Sequence, residues 1–70
     1  MKEFAKARAF RWLLVQLREE HVSVRYGACF GLRFHLDNPD ALRALKRIEE
    51  HDVDSEVRLA AHMVLNGFGS

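Results

Sequence analysis

The sequence of this chain contains an internal repeat with an offset of 33 residues, which limits the possible folds more strongly than its composition does. The pair Val24-Arg25 recurs as Val57-Arg58, and Ala28 recurs as Ala61. Four further pairs keep the same class of side chain at this offset: Leu32 with Leu65, Trp12 with Leu45, Val15 with Ile48, and Glu19 with Asp52. A period of this length is typical of folds in which one small supersecondary unit stacks on another copy of itself. The sequence therefore predicts two similar halves.

Each half has the hydrophobic spacing of two helices. Apolar residues recur three or four positions apart, which places them on one face of an α-helix, and no segment shows the strict alternation of a half-buried strand. The four faces consist of Phe10, Leu13, Leu14 and Leu17; Val24, Ala28, Leu32 and Leu36; Leu42, Leu45 and Ile48; and Val57, Ala60, Ala61, Val64 and Leu65. We therefore expect an all-α fold in which four helices form two helical hairpins.

The helix boundaries carry their own signals. Asn38-Pro39 predicts a helix start, because asparagine is a good N-cap and proline fits the first helical position. Asp54 predicts a second N-cap, and Gly67 and Gly69 predict the end of the last helix. The break between the first two helices, around Glu20 to Ser23, has neither glycine nor proline.

The composition is that of one small globular domain, with 70 residues of which 49% are hydrophobic and 30% are charged. We expect a single domain over residues 1–70, with one repeat at about 2–36 and the other at about 38–68. The only cysteine, Cys29, cannot form an internal disulfide, which suits a reducing, cytoplasmic location. The longest uncharged stretch near the N-terminus, Trp12 to Leu17, is far shorter than the roughly 20 residues of a bilayer span. We therefore expect no membrane association.

The repeated residues resemble a HEAT repeat, in particular the short phycobilisome-lyase-type HEAT-like repeat. The segment ALKRIEEHDVDSEVRLAAHMVLNG follows that pattern closely, and WLLVQLREEHVSVRYGACFGL follows it more loosely. The resemblance implies two HEAT-like hairpins in a short α-solenoid, and a non-enzymatic scaffold that binds proteins. It also implies a ladder between repeats in which Glu19 and Asp52 are the acids and Arg25 and Arg58 are their partners.

The sequence gives little support for a metal site or for a catalytic nucleophile. His51 with Asp52 or Asp54 could bind a metal, but a strong ligand signature such as His-Glu-x-x-His is absent from the sequence. Cys29 lies in the middle of a predicted helix, where a thiol is usually a small buried hydrophobe rather than a nucleophile. We therefore expect no catalytic residue, no metal and no cofactor.

The excess of large apolar residues is the most informative functional signal. Tyr26, Phe30 and Phe34 recur every four residues, and they either pack on the next hairpin near Leu59 and Met63 or face a partner. A solenoid usually needs about three repeats for stability, whereas this chain has two. We therefore predict self-association, most simply as a symmetric homodimer. The candidate interface residues are Trp12, Val15, Tyr26, Phe30, Phe34 and Met63.

Two other functions remain open from the sequence. One is nucleic-acid binding, which a net charge of only +1 does not favour. Its candidate phosphate-binding residues are Arg8, Arg11, Arg18, Arg33, Arg43, Lys46 and Arg47. The other is an apolar ligand site that aromatic side chains line between two subunits.

Overall fold

The computed structural model describes the backbone of residues 2–67 and the side chains of residues 5–67. Within that range the chain is all-helical and contains no strand, so the all-α prediction with four helices is confirmed. The α-helices are α1 (Lys2–Gln16), α2 (Val22–Gly31), α3 (Pro39–His51) and α4 (Ser55–Asn66), and a short 3-10 helix spans Leu32–His35. None of the described helices is long and apolar enough to span a membrane.

The predicted helix caps are confirmed. The Asn38 side chain accepts a hydrogen bond from the Asp40 N–H at 2.9 Å, with Pro39 at the first position of α3. Oδ1 of Asp54 accepts from the N–H groups of Glu56 and Val57 at 2.8 and 3.1 Å, which satisfies two free donors at the start of α4.

Helix α4 ends immediately before Gly67, as predicted from the glycines near the C-terminus. Gly67 has a φ of 80°, a left-handed value that an L side chain rarely adopts. Gly69, the other predicted stop, lies outside the described residues, as does the last residue of the predicted second repeat, Phe68.

The end of α1 is set by tighter turns rather than by a helix-breaking residue. The N–H groups of Arg18 and Glu19 bond to carbonyls only three residues back, at 3.0 and 3.1 Å. Bonds of this kind tighten a last helical turn and use carbonyls that have no partner further along. The break therefore lies at residues 17–21, slightly earlier than the sequence predicted.

The second helix differs from the prediction at its C-terminal end. The α-helix stops at Gly31, and Leu32 to His35 continue as a 3-10 helix with about three residues per turn. Phe34 therefore lies on the 3-10 helix, whereas Tyr26 and Phe30 lie on α2. The three aromatic residues therefore do not form one continuous ridge on an α-helix.

The core lies between α2, α3 and α4. Helices α3 and α2 both pack against α4, whereas α1 contacts chiefly α2 and the 3-10 helix. The fully packed apolar side chains are Leu17, Ala28, Cys29, Leu32, Ala41, Leu45, Val57, Ala60, Ala61 and Val64. No described side chain within α1 itself belongs to this set. Helix α1 is therefore the least buried of the four.

Candidate protein-interaction site

The two hairpins are joined by an ion pair between Arg25 of α2 and Asp52 of the α3–α4 turn. Nε and Nη2 of Arg25 donate to the two carboxylate oxygens of Asp52 at 2.9 and 3.2 Å. Both side chains are almost completely buried. The planar guanidinium meets the carboxylate in a two-pronged arrangement that a lysine could not reproduce.

Each group of this ion pair is held by further hydrogen bonds. Nη1 of Arg25 donates to the carbonyls of Glu19 and Glu20, both at 2.7 Å, and so closes the α1–α2 turn. Oδ1 of Asp52 also accepts from the Asp54 N–H at 2.9 Å. Burial alone would raise the pKa of Asp52, but the bonds from Arg25 and Asp54 outweigh it and hold that pKa below its usual value.

The other two predicted ladder residues occupy different environments. Nη1 of Arg58 donates to the carbonyl of Asp52 at 2.5 Å, not to its carboxylate. Glu19 contributes its carbonyl to Arg25, while its side chain is exposed. The structure thus brings Arg25 and Asp52 together side chain to side chain and leaves Glu19 and Arg58 apart from such a pair.

Most of the candidate interface residues lie at the surface. Trp12 is 62% exposed, and Val15, three residues further along α1, is 53% exposed. Tyr26 is partly exposed and its ring lies against Phe30, with centroids 5.1 Å apart. Phe34 is exposed beneath the guanidinium of Arg33, 4.6 Å from the ring centroid, and Met63 is half-buried.

A groove of about 460 Å³ separates α1 from α3. Its apolar lining includes Leu14, Leu17 and Ile48. Its charged lining consists of Arg18, Asp40, Arg43 and Arg47, of which Asp40 and Arg43 form an exposed ion pair. The sequence identified these arginines as phosphate-binding candidates, but it did not predict that α1 and α3 would stand apart.

The residues considered for chemistry are engaged elsewhere or shielded. Asp52 binds Arg25, Asp54 caps α4, and His51 is exposed, with its nearest carboxylate, that of Glu50, 4.0 Å away. Among the described side chains, no group of three metal-binding residues converges. Burial raises the pKa of the Cys29 thiol to about 11, so it is protonated at neutral pH.

Two histidines acquire roles that the sequence did not assign. His35 is buried against Phe10, with ring centroids 5.3 Å apart. Nδ1 of His62 lies 2.6 Å from Oε2 of Glu49 on the outer side of α4. The contacts with His62 and then Lys46 hold the pKa of Glu49 below its usual value. Both pairings join separate elements, so helical periodicity alone could not have identified them.

Comparison with known proteins finds no relative: no protein-family model, no curated protein and no solved structure matches this chain.

Proposed function

We propose that this chain is a small non-enzymatic protein-interaction module with a HEAT-like arrangement of two hairpins, and that it associates with itself. The observation that carries the proposal is the exposure of α1, where Trp12 is 62% exposed and no described side chain is fully buried. A large aromatic residue at the surface of a small domain is typical of the centre of a protein–protein interface.

Two further observations support the HEAT-like arrangement. The 33-residue offset relates the two hairpins in sequence. The buried pair of Arg25 and Asp52 joins an arginine of the first unit to the turn acid of the second, which is the kind of contact that the resemblance implies.

Sedimentation over a range of concentrations tests self-association directly. We expect the wild-type chain to associate, and Trp12→Glu to stay monomeric while keeping its helical circular dichroism. Val53→Glu is the matched control, because Val53 is 89% exposed in the α3–α4 turn. This substitution adds the same charge as Trp12→Glu, but outside α1. A wild-type chain that remains a folded monomer at every accessible concentration would contradict the proposal.

The only tryptophan of the chain supplies a second measurement. Since Trp12 is the sole source of indole fluorescence, its emission maximum reports the polarity of its own surroundings. We expect a shift to shorter wavelength as the concentration rises. An emission maximum that stays constant while the mass increases would show that the interface lies elsewhere.

Nucleic-acid binding is the second candidate function, because Arg18, Arg43 and Arg47 gather along the α1–α3 groove. Phosphate contacts of this kind weaken steeply as salt is raised. Binding of a labelled duplex that falls sharply between low and moderate salt, and is lost in Arg47→Glu, would favour this function over the first.

A further inference from the structure

At some positions related by the 33-residue offset, the residue of the first hairpin is buried and its equivalent in the second hairpin is more exposed. Cys29 of α2 is 0% exposed, whereas its repeat equivalent in α4, His62, is exposed. Arg25 is 9% exposed, whereas its equivalent, Arg58, is only half-buried. The second hairpin therefore presents outward the surface that the first hairpin buries against its neighbour. We call this surface the tail face, formed by Arg58, His62 and Leu65.

The converse difference occurs at the other end of the molecule. Ala60 is 1% exposed in α4, whereas its equivalent in α2, Gly27, is exposed. Leu45 is fully buried in α3, whereas its equivalent in α1, Trp12, is exposed. The first hairpin therefore presents outward the surface that the second hairpin buries. We call this surface the head face, formed by Trp12, Glu19, Val24 and Gly27.

The hydrogen bonds of Arg25 and of its equivalent, Arg58, show the same difference between the two hairpins. Arg25 uses Nη1 for the carbonyl six residues before it, and Nε and Nη2 for the carboxylate of Asp52. Arg58 likewise uses Nη1 for the carbonyl six residues before it. Within the described part of the chain, Nε and Nη2 of Arg58 have no acceptor, and the carboxylate of Glu19 has no cation or hydrogen-bond donor.

We propose that the tail face of one copy of this chain stacks on the head face of another, with Arg58 of the first binding the Glu19 carboxylate of the second. The contact repeats between copies the arrangement by which Arg25 and Asp52 join the hairpins within one copy. Opposite charges stand at the two faces, and a carboxylate and a guanidinium fork can pair through two hydrogen bonds. This inference rests on the proposed self-association and names its surface.

The shape of the head face suits a second helix. A Cβ atom added at Gly27 would have no atom within 4 Å, so the surface there is open in a single copy. Its equivalent, Ala60, is 1% exposed in α4, where a small side chain permits a neighbouring helix to approach closely. Gly27 offers at least as close an approach to α4 of another copy.

This arrangement differs in symmetry from the homodimer that the sequence suggested. The two faces are different surfaces, so each added copy presents a new head or tail face. Such an interface generates a ring or an open chain rather than a closed symmetric pair. We therefore expect the average mass to pass that of a dimer as the concentration increases.

Two variants block one face each. Arg58→Glu places a second carboxylate opposite Glu19 and blocks the tail face, whereas Gly27→Arg fills the open surface and blocks the head face. Each should raise the concentration needed for assembly at least about tenfold. Arg58→Glu replaces a charge pair by two like charges, and Gly27→Arg places a long side chain where the second copy must approach. Arg47→Glu is the matched control, since it reverses the charge of an exposed arginine of α3 that belongs to neither face.

Mixing the blocked variants gives the decisive measurement. Arg58→Glu retains an intact head face and Gly27→Arg retains an intact tail face, so an equimolar mixture should form a one-to-one dimer that neither variant forms alone. Circular dichroism of each variant checks that the helices are intact. Trp12 fluorescence then identifies the covered head face, because only the Arg58→Glu partner should show the shift.

The results separate this inference from the proposed function. Wild-type assembly that both blocked variants retain, or a mixture of variants that stays monomeric, would overturn the head-to-tail contact and leave self-association standing. A wild-type chain that never associates would overturn both. Assembly that is lost in each variant and recovered as a dimer in the mixture is the expected outcome.

Discussion

Removal of the Asp52 carboxylate should strongly destabilise this chain, because it breaks the buried ion pair with Arg25. In Asp52→Ala, Arg25 would lose two of its four hydrogen bonds, and the Asp54 N–H would lose its acceptor. Breaking a buried ion pair by removing one partner typically costs about 3–5 kcal/mol. A single core of this size rarely supplies more than about 3–5 kcal/mol. We therefore expect Asp52→Ala to be largely unfolded at room temperature.

A milder variant allows the free energy to be measured. Asp52→Asn keeps one carbonyl oxygen but removes the charge, and its amide group opposes an N–H donor of Arg25. Urea unfolding of this variant, of Arg25→Met and of the double variant, followed by helical circular dichroism, gives the coupling energy between the two residues. We expect about 1–3 kcal/mol, as for residues that share one buried hydrogen-bond network.

The matched control is the exposed pair of Asp40 and Arg43. Both side chains are mostly in solvent, so Asp40→Asn should change the free energy of unfolding by at most about 1 kcal/mol. A coupling energy between Arg25 and Asp52 within about 0.5 kcal/mol of zero would refute the reasoning, since independent sites give that result. The slope of the urea transition should be similar in the compared variants, so that the midpoints report stability.

The buried pair of Arg25 and Asp52 also predicts how the free energy of unfolding depends on pH. The pKa of Asp52 in the folded chain lies below its ordinary value of 3.8, so the unfolded chain binds a proton there more readily. The stabilisation is fully present above pH 3.8 and is lost as the pH falls through the pKa of the folded state. Acid titration should show a larger loss of stability in the wild type than in Asp52→Asn, where other carboxylates such as Glu49 still contribute; parallel curves would contradict the prediction.

Three further predictions concern single residues. Asp54→Ala should lower the free energy of unfolding by about 1 kcal/mol, because two N–H groups of α4 lose their acceptor, and urea unfolding measures it. Gly27→Ala should raise it by about 0.4–1 kcal/mol, because the added methyl group meets no atom and the unfolded chain loses freedom; a destabilised variant would contradict the open surface at Gly27. Cys29 should react with a thiol reagent only as fast as the chain opens, because the thiol is fully buried with a pKa of about 11; rapid reaction in the native state would contradict that burial.

The local features of this fold could be predicted from the sequence because their partners lie within a few residues. Asn38 and Asp54 act on N–H groups two or three positions ahead, and Gly67 acts through its own backbone. Apolar spacing likewise gives the existence of four helices, since neighbours on a helix face lie three or four residues apart.

The break after α1 and the early end of α2 were harder to predict. The α1–α2 turn is closed by Arg25, whose guanidinium reaches back to the carbonyls of Glu19 and Glu20. That contact depends on Arg25 being held by Asp52 from the other hairpin. The change to a 3-10 helix at Leu32 places Phe34 outside α2, although helical periodicity had placed it on one ridge with Tyr26 and Phe30.

The repeat, the four helices and their caps follow from the sequence alone, because they depend on spacing and on hydrogen bonds within a turn. Which arginine meets which acid depends instead on tertiary packing. Arg25 and Asp52 are 27 residues apart, and their pairing depends on how α2 packs against α4. The same packing buries Cys29 and Ala60 and leaves their equivalents, His62 and Gly27, exposed. A repeat in sequence makes two units alike, but within the described residues each unit has a neighbouring unit on only one side.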